Sequence, residues 1–316
     1  MKCVKTQDAV GHVLCHDITQ IIKDVKKGTA FRKGHIVTEE DIPVLLSLGK
    51  DNLYIWEKKE GILHENEAAE YLRDICINEN MSQSEVKEGK IEIIAEIDGL
   101  LKINVESLRA VNSLGEMMIA TRHTNTTVKK GDKLAGTRII PLLIEQEKME
   151  KAKEVAGNSP ILSLMPFKKK KVGIVTTGNE VFYGRIKDTF GPVVAEKVKE
   201  FGADVIGQTI VNDDMEKIAK ATESFIEQGA DMVLCTGGMS VDPDDKTPGA
   251  IKSTGARIVS YGAPVLPGAM MLLAYYKKDE KEIPIVGLPG CVMYSKRTVF
   301  DLVLPRLMAD DMVTSD

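Results

Sequence analysis

The sequence predicts an α/β fold for its second half, a mostly parallel sheet wrapped by helices, preceded by a β-rich α+β region. Three observations carry this reading. Residues 170–307 alternate β-like apolar runs with amphipathic helical stretches, the pattern of consecutive βαβ units. Residues 1–165 instead mix short alternating runs with turns and few helices. The apolar runs of the second half end in glycine, hydroxyl and carboxylate residues, and in parallel sheets ligands bind beyond the carboxyl ends of the strands.

Taken from the N-terminus, "KKGTAFRKGHIV" (26–37) and "VKKGDKLAGTRIIPLLI" (128–144) each set basic residues and a glycine ahead of an apolar strand, as hairpins do. "EEDIPVLLSLG" (39–49) reads as a short helix stopped by Gly49. "NLYIW" (52–56), "KIEIIAEI" (90–97) and "EMMIATRH" (116–123) read as strands, and "EQEKMEKAKEVAG" (145–157) as a charged helix leading out of this half. In the second half, "KKVGIVTTG" (170–178), "ADVIGQTIV" (203–211) and "DMVLCT" (231–236) are strands. Between them, Phe190, Val193, Val194, Val198 and Phe201 share one helical face, and residues 214–229 form a helix with Asp214 as N-cap and Gly229 as stop. "TPGAIKSTG" (247–255) is a short helix with Thr247 as N-cap and Pro248 in its first turn. "RIVSY", "AMMLLAYY" and "EIPIVGL" are strand-like, and a last helix is expected over 291–307. The domains expected are 1–57, 58–165 and 166–316.

Composition narrows the class. The chain is 316 residues long, 43% hydrophobic and 28% charged, with a net charge of −5, which gives no overall attraction to nucleic acid. The run "FKKKKVG" (167–173) has no interleaved aromatics and reads as a solvated stretch before a strand. The five cysteines are scattered without a C-x-x-C pair, which fits a reducing compartment rather than a disulfide framework or zinc site. No apolar run approaches membrane-spanning length, and "MKCVKTQDAVGH" lacks a signal-peptide core, so a cytoplasmic location is expected.

The chemistry is concentrated in the loops. In Thr236-Gly237-Gly238-Met239-Ser240, glycines after a buried strand let backbone N–H groups approach an anion closely, or simply make a tight turn. Asp242, Asp244 and Asp245 follow. Carboxylates beside a phosphate site suit a bridging Mg²⁺; "DPDD" is equally a turn, and Asp245 a helix-end charge. Thr177-Gly178-Asn179-Glu180 ends the first strand, Asp188-Thr189 precedes a helix, and Asp213-Asp214 ends the second strand; the last two pairs can also serve as caps. Shared position at strand C-termini gathers these groups on one crevice.

The order of these pieces resembles the molybdopterin-binding domain shared by MogA-type adenylyltransferases and MoeA/gephyrin-type molybdenum insertases. "VTTGNEV", "GRIKDT", "IVNDD", "ADMVLCTGGMSVDPDDKTPGAI", "LPGAM" and "GLPG" stand here in family order, and residues 26–56 resemble the lead-in of MoeA proteins. The resemblance implies a three-layer α/β/α sandwich, a homo-oligomer, and molybdopterin or its nucleotide lying over the strand ends. It implies that the loop Thr236–Ser240 contacts phosphate or pterin, that Asp245 and Glu180 are the catalytic or ligand carboxylates, and that Asp188, Asp213 and Asp214 complete the acidic side. Thr177, Gly178, Asn179, Thr189, Pro267, Gly268, Pro289 and Gly290 join the binding set, with Asp242 and Asp245 as metal ligands.

The departures from the insertase pattern bear on mechanism. Its K-P-G-K-P is here Leu266-Pro267-Gly268-Ala269-Met270, so two ammonium groups that would attract molybdate are absent. Its L-P-G-N-P-V-S is Leu288-Pro289-Gly290-Cys291-Val292-Met293-Tyr294. Three functions stay open: a molybdopterin transferase (molybdenumtransferase or adenylyltransferase-like), a non-catalytic carrier handing the cofactor to a target molybdoenzyme, and a competence-protein-type nucleotide pyrophosphatase.

Overall fold

The computed structural model describes residues 2–22, 26–55 and 60–315. Two compact units are present: Met1–Ile97 with Ile103–Thr124 and Lys129–Leu164, and Asp98–Lys102 with Asn125–Val128 and Met165–Asp316. The expected boundary at 57/58, and Trp56 of the 52–56 strand, lie outside the described residues. Two short stretches of the expected 58–165 domain belong instead to the C-terminal unit. Their strands pair antiparallel, with Thr126 opposite Leu101 and Val128 opposite Gly99, and the Lys102 ammonium lies 2.7 Å from the Asp311 carboxylate. Partners so far away in sequence leave no local signature.

The N-terminal unit is β-rich. Lys90–Ala95 lies between Met81–Gln83 and Lys133–Ile139, which also pairs with Met117–Thr121, all antiparallel. Side chains of Lys90–Ala95 alternate between half-buried and buried, as the period-two reading requires. The charged helix is Gln146–Ala156, and the short one Asp41–Ser47, followed by Gly49 in the left-handed region. A helix that periodicity did not reveal, Glu65–Cys76, starts at the buried His64, whose Nδ1 accepts the N–H of Asn66 and whose own N–H is bound by Glu67.

The C-terminal unit begins its sheet with β1 (Lys171–Thr177), followed by α1 (Phe190–Lys199), β2 (Asp204–Val211), α2 (Met215–Glu227), β3 (Met232–Thr236) and α3 (Thr247–Ser253). Then come β4 (Arg257–Tyr261), β5 (Leu272–Lys278), β6 (Lys281–Leu288) and α4 (Val299–Met308). The strand order is β2-β1-β3-β6-β5-β4. The first four strands are parallel; β5 runs antiparallel to both of its neighbours, so the edge strand β4 points the same way as the first four and the sheet is mostly parallel.

Helices cover both faces. Val172, Ile174, Met232 and Leu234 pack with Phe190, Val194 and Val198 of α1 and Phe300 and Leu304 of α4. Val175, Val233 and Cys235, on the opposite face of the same strands, pack with Ile218 and Phe225 of α2 and Ile251 of α3. Burying each such aliphatic side chain contributes roughly 1.5–3 kcal/mol. Alternate residues along one strand therefore hold opposite helical layers, and the three-layer sandwich follows from the pleat.

One boundary is corrected. The last helix starts at Val299, not 291; Gly290–Met293 forms a short 3₁₀ turn instead. Thr298 supplies the start, its backbone N–H bound by the Asp301 carboxylate at 2.7 Å. Cys291 and Val292 mimic helical periodicity, but the capping group lies seven residues on. No helix among the described residues is long and apolar enough to cross a membrane.

Candidate functional site

The parallel register aligns the strand ends. Thr177 lies opposite Val211, Thr176 opposite Thr236, and Thr236 opposite Leu288, so the loops after β1, β2, β3 and β6 emerge along one rim. β5 enters at that same rim, with Leu272 opposite Gly287, which brings the Pro267-Gly268 segment alongside. The order β2-β1-β3 places a topological switch point between β1 and β3, because the chain leaves β1 through α1 on one face and β3 through α3 on the other. Thr177, Gly178, Thr236 and Gly237 flank that crevice.

The glycine loop is shaped by close approach. Gly237 has φ +88, and a Cβ there would lie 2.6 Å from the Thr177 carbonyl oxygen. Gly238 has φ +59, and a Cβ there would lie 2.8 Å from Thr247 Oγ1. Only glycine combines this left-handed backbone with such contact. Thr247 is not the N-cap of α3 but its first residue, flanked by Lys246. Its hydroxyl donates to the Gly237 carbonyl at 2.8 Å and lies 3.4 Å from Thr177 Oγ1, stitching the loop to β1. From the edge strand, the Tyr261 hydroxyl donates to the Met239 carbonyl at 3.1 Å.

Within this loop the residues divide. The Thr236 side chain is fully buried, and its hydroxyl donates to Thr176 Oγ1 at 3.2 Å, so its side chain is spent inside the sheet. Met239 is only 3% exposed and fills the space over Gly287. Ser240 is exposed. Asp245 closes a reciprocal turn with Asp242: its carboxylate accepts the Asp242 N–H at 2.8 Å, and its own N–H donates to the Asp242 carbonyl at 2.9 Å. The turn chemistry of "DPDD" is thus realised, and the Asp242 and Asp244 side chains stay in solvent.

The acidic side is built on Asp213. Its carboxylate accepts the Asn179 N–H at 2.9 Å, joining the ends of β1 and β2. Burial pushes its carboxyl above the usual carboxylate range, against that hydrogen bond, and the nearby charges of Glu180, Asp244 and Asp245 push the same way. Asp214 caps α2 by accepting the N–H groups of Glu216 and Lys217 at 3.0 and 3.1 Å. Asp188 accepts the N–H groups of Phe190 and Gly191 at 2.9 and 3.1 Å through one oxygen. Its other oxygen accepts from Gln208 Nε2 at 2.6 Å, and the same amide donates to Thr176 Oγ1 at 2.8 Å. Thr189 is exposed, its hydroxyl 3.0 Å from Met293 Sδ.

Gln208, Thr176 and Tyr261 are the residues near these strand ends that sequence reading missed. Each sits inside a strand, and only tertiary pairing gives it its partner. The Thr-Thr ends of β1 were the one available signal.

On the far side of the crevice, the Pro267 carbonyl accepts the first N–H of α4, from Val299, at 3.1 Å, and Gly268 packs against that residue. Leu266 beside it is 84% exposed, so the position of one missing lysine opens to solvent. Pro289 is buried and Gly290 exposed. Cys235 is fully buried with its thiol pushed up to about 12 by burial, which makes it inert; burial also raises Cys291.

Among the described residues no group of three or more His, Cys, Asp and Glu side chains is arranged to hold a metal ion.

The chain is similar to several known proteins. Residues 173–309 match the family model described as "Probable molybdopterin binding domain", and residues 3–57 match one described as "Domain of unknown function (DUF8806)". The chain is 27% identical over 182 residues to a molybdopterin molybdenumtransferase of Synechococcus elongatus, a match covering 55% of this chain and 42% of that protein. It is 36% identical over 77 residues to a CinA-like protein of Mycobacterium tuberculosis, covering 24% of this chain and 18% of the relative. These matches span less than half the length of either relative. Among solved structures, the tungsten cofactor synthesizing protein MoaB from Pyrococcus furiosus matches with a TM-score of 0.34 and 22% identity, covering 44% of this chain and 89% of that one. A molybdenum cofactor biosynthesis protein from the same organism matches with a TM-score of 0.30 and 16% identity, covering 100% of this chain and 66% of that one. The family match thus falls on residues 173–309, the stretch that forms most of the six-stranded sheet and its helices.

Proposed function

We propose that the C-terminal unit binds molybdopterin or its nucleotide across the strand ends of β1, β2, β3 and β6. The observation that carries this reading is that the Gly237-Gly238 turn, pressed against Thr177, and Asp213, bonded to the Asn179 N–H, stand on one rim at the switch point. The glycine loop takes the phosphate, and Asn179, Glu180 and Asp213 take ring N–H groups. The charges of Glu180, Asp244 and Asp245 bear on Asp213, and a Mg²⁺ arriving with the phosphate would be held by Asp245 and Asp242. Bound there, Mg²⁺ neutralises phosphate oxygens, and the chain's own contribution to group transfer is position rather than a covalent nucleophile.

Transferase chemistry is the first reading of the activity. Neutral, exposed Leu266 and neighbouring Ala269 favour a second, a carrier that binds the pterin without drawing in molybdate. The third reading, nucleotide pyrophosphate hydrolysis, is the one that the resemblance of the glycine loop to competence-type proteins implies. Mass spectrometry of small molecules that co-purify with the chain tests the ligand: a phosphorylated pterin is expected, and its absence from protein made in a molybdopterin-producing host counts against the reading. Incubation with molybdopterin, ATP and Mg²⁺ separates the activities. Adenylated pterin marks the transferase, tight binding without turnover marks the carrier, and cleavage of ADP-ribose marks the hydrolase. Sedimentation of the loaded protein tests the homo-oligomer expected from the resemblance.

A further inference from the structure

Directly after Asn179-Glu180, the chain turns two aromatic rings outward. Phe182 is 42% exposed and Tyr183 60% exposed, their rings 5.2 Å apart in an edge-to-face pair. Each ring carries a cation on it: Arg185 lies 5.3 Å from the Tyr183 centroid, and Lys217 Nζ lies 5.9 Å from that of Phe182. Lys217 is fixed by a 3.0 Å hydrogen bond to Asn212.

The segment is not a loose loop tip. Phe182 and Tyr183 donate their N–H groups to the carbonyls of Gly178 and Asn179 at 2.9 and 3.0 Å, and Arg185 donates to that of Glu180 at 2.9 Å. Asn179 in turn is held by Asp213. The aromatic pair is thus tied rigidly to the crevice, and nothing in the packing of this unit calls for two rings in water there.

We propose that Phe182 and Tyr183 form a stacking platform for the ring system of the crevice ligand, a flat, fused nitrogen heteroaromatic that carries a phosphate. Exposed rings offer such a bicycle a face to stack on, and Arg185 and Lys217 add the positive charge that an acidic rim lacks for an anion. The inference rests on the crevice reading above, which gives the edge of the ring system to Asn179, Glu180 and Asp213, and adds what holds its face. A pterin and a purine share this chemistry.

Calorimetric titration of the full chain, with Mg²⁺ present, tests it using neopterin monophosphate, adenosine monophosphate and ribose 5-phosphate. Removing a stacking partner costs roughly 1–3 kcal/mol per ring, about 5- to 150-fold in affinity. The double variant Phe182→Ala/Tyr183→Ala is expected to lose at least about fivefold on the two ring-bearing probes and nothing on ribose 5-phosphate. Tyr183→Phe is expected to keep parental binding. The ratio between neopterin monophosphate and adenosine monophosphate tells pterin from purine. The platform is overturned if the double variant binds the ring-bearing probes as the parent does, if it loses ribose 5-phosphate equally, or if the parent holds the ring-bearing probes no better than ribose 5-phosphate. The crevice reading fails separately, if Gly237→Val leaves the binding of every probe unchanged or if the parent binds none of them.

Discussion

Replacing Gly237 with alanine probes the close approach on which the rim depends, and Gly255→Ala is its internal control. Both glycines lie in the left-handed region, at φ +88 and +84. A Cβ at Gly255 meets nothing within 4 Å, whereas at Gly237 it lies 2.6 Å from the Thr177 carbonyl and 3.0 Å from its hydroxyl. The conformational cost is common to both, about 1–2 kcal/mol, reduced slightly because alanine also restricts the unfolded chain. The overlap belongs to Gly237 alone. Thr177 is paired with Val211 of β2 and follows Thr176, which is paired with Thr236 of β3, so it has little room to recede, and overpacking of this kind costs about 1–3 kcal/mol. Gly237→Ala is therefore expected to lose roughly 2–4 kcal/mol and Gly255→Ala about 1 kcal/mol. Urea denaturation of both variants beside the parent, followed by far-ultraviolet circular dichroism, measures the difference. Equal losses would refute the claim that the glycine loop is moulded against Thr177.

Other perturbations test the rim and the N-terminal unit. Asp213→Asn retains an acceptor for the Asn179 N–H and removes a carboxylate whose folded pKa is raised, chiefly by burial. A raised folded pKa contributes stability that is complete below the ordinary carboxylate value and lost as pH rises through the folded value. The parent should accordingly lose stability over that interval and the variant should not; denaturation midpoints from pH 3 to about 7 decide it. His64 runs the opposite way. Burial first, and then the charge of Lys33, lower its pKa, so the ring stays neutral in the fold, accepting from Asn66 and donating to the Cys15 carbonyl. Stability should fall as pH drops below about 6.5, where the unfolded ring protonates first, and His64→Ala should cost about 1 kcal/mol through the lost cap while flattening that fall. Removal of the Tyr261 hydroxyl in Tyr261→Phe should cost about 0.5–1.5 kcal/mol and speed hydrogen exchange in residues 237–241, read by mass spectrometry; unchanged exchange there would mean that the edge strand does not brace the loop.

Sequence alone settled the α/β character of residues 170–307, because alternation of apolar period is a local property that each strand and helix carries by itself. It also marked which loops bear chemistry, since Gly237-Gly238, Asp213-Asp214 and Asn179-Glu180 stand where apolar runs stop. Tertiary structure decided what those residues do. Asp214 turned out to cap α2 and Asp188 to hold α1, while Asp213 bridges two strand ends; nothing local separates these carboxylates. Thr236 spends its hydroxyl inside the sheet, and Thr247, which local sequence assigns to a cap, instead ties the glycine loop down. Gln208, unremarkable within β2, meets Asp188 and Thr176 only through parallel pairing. Period and composition are written along the chain, one residue after the next. Register, burial and the field of neighbouring charges arise only when strands distant in sequence lie side by side, and those are what give a carboxylate its partner and its pKa.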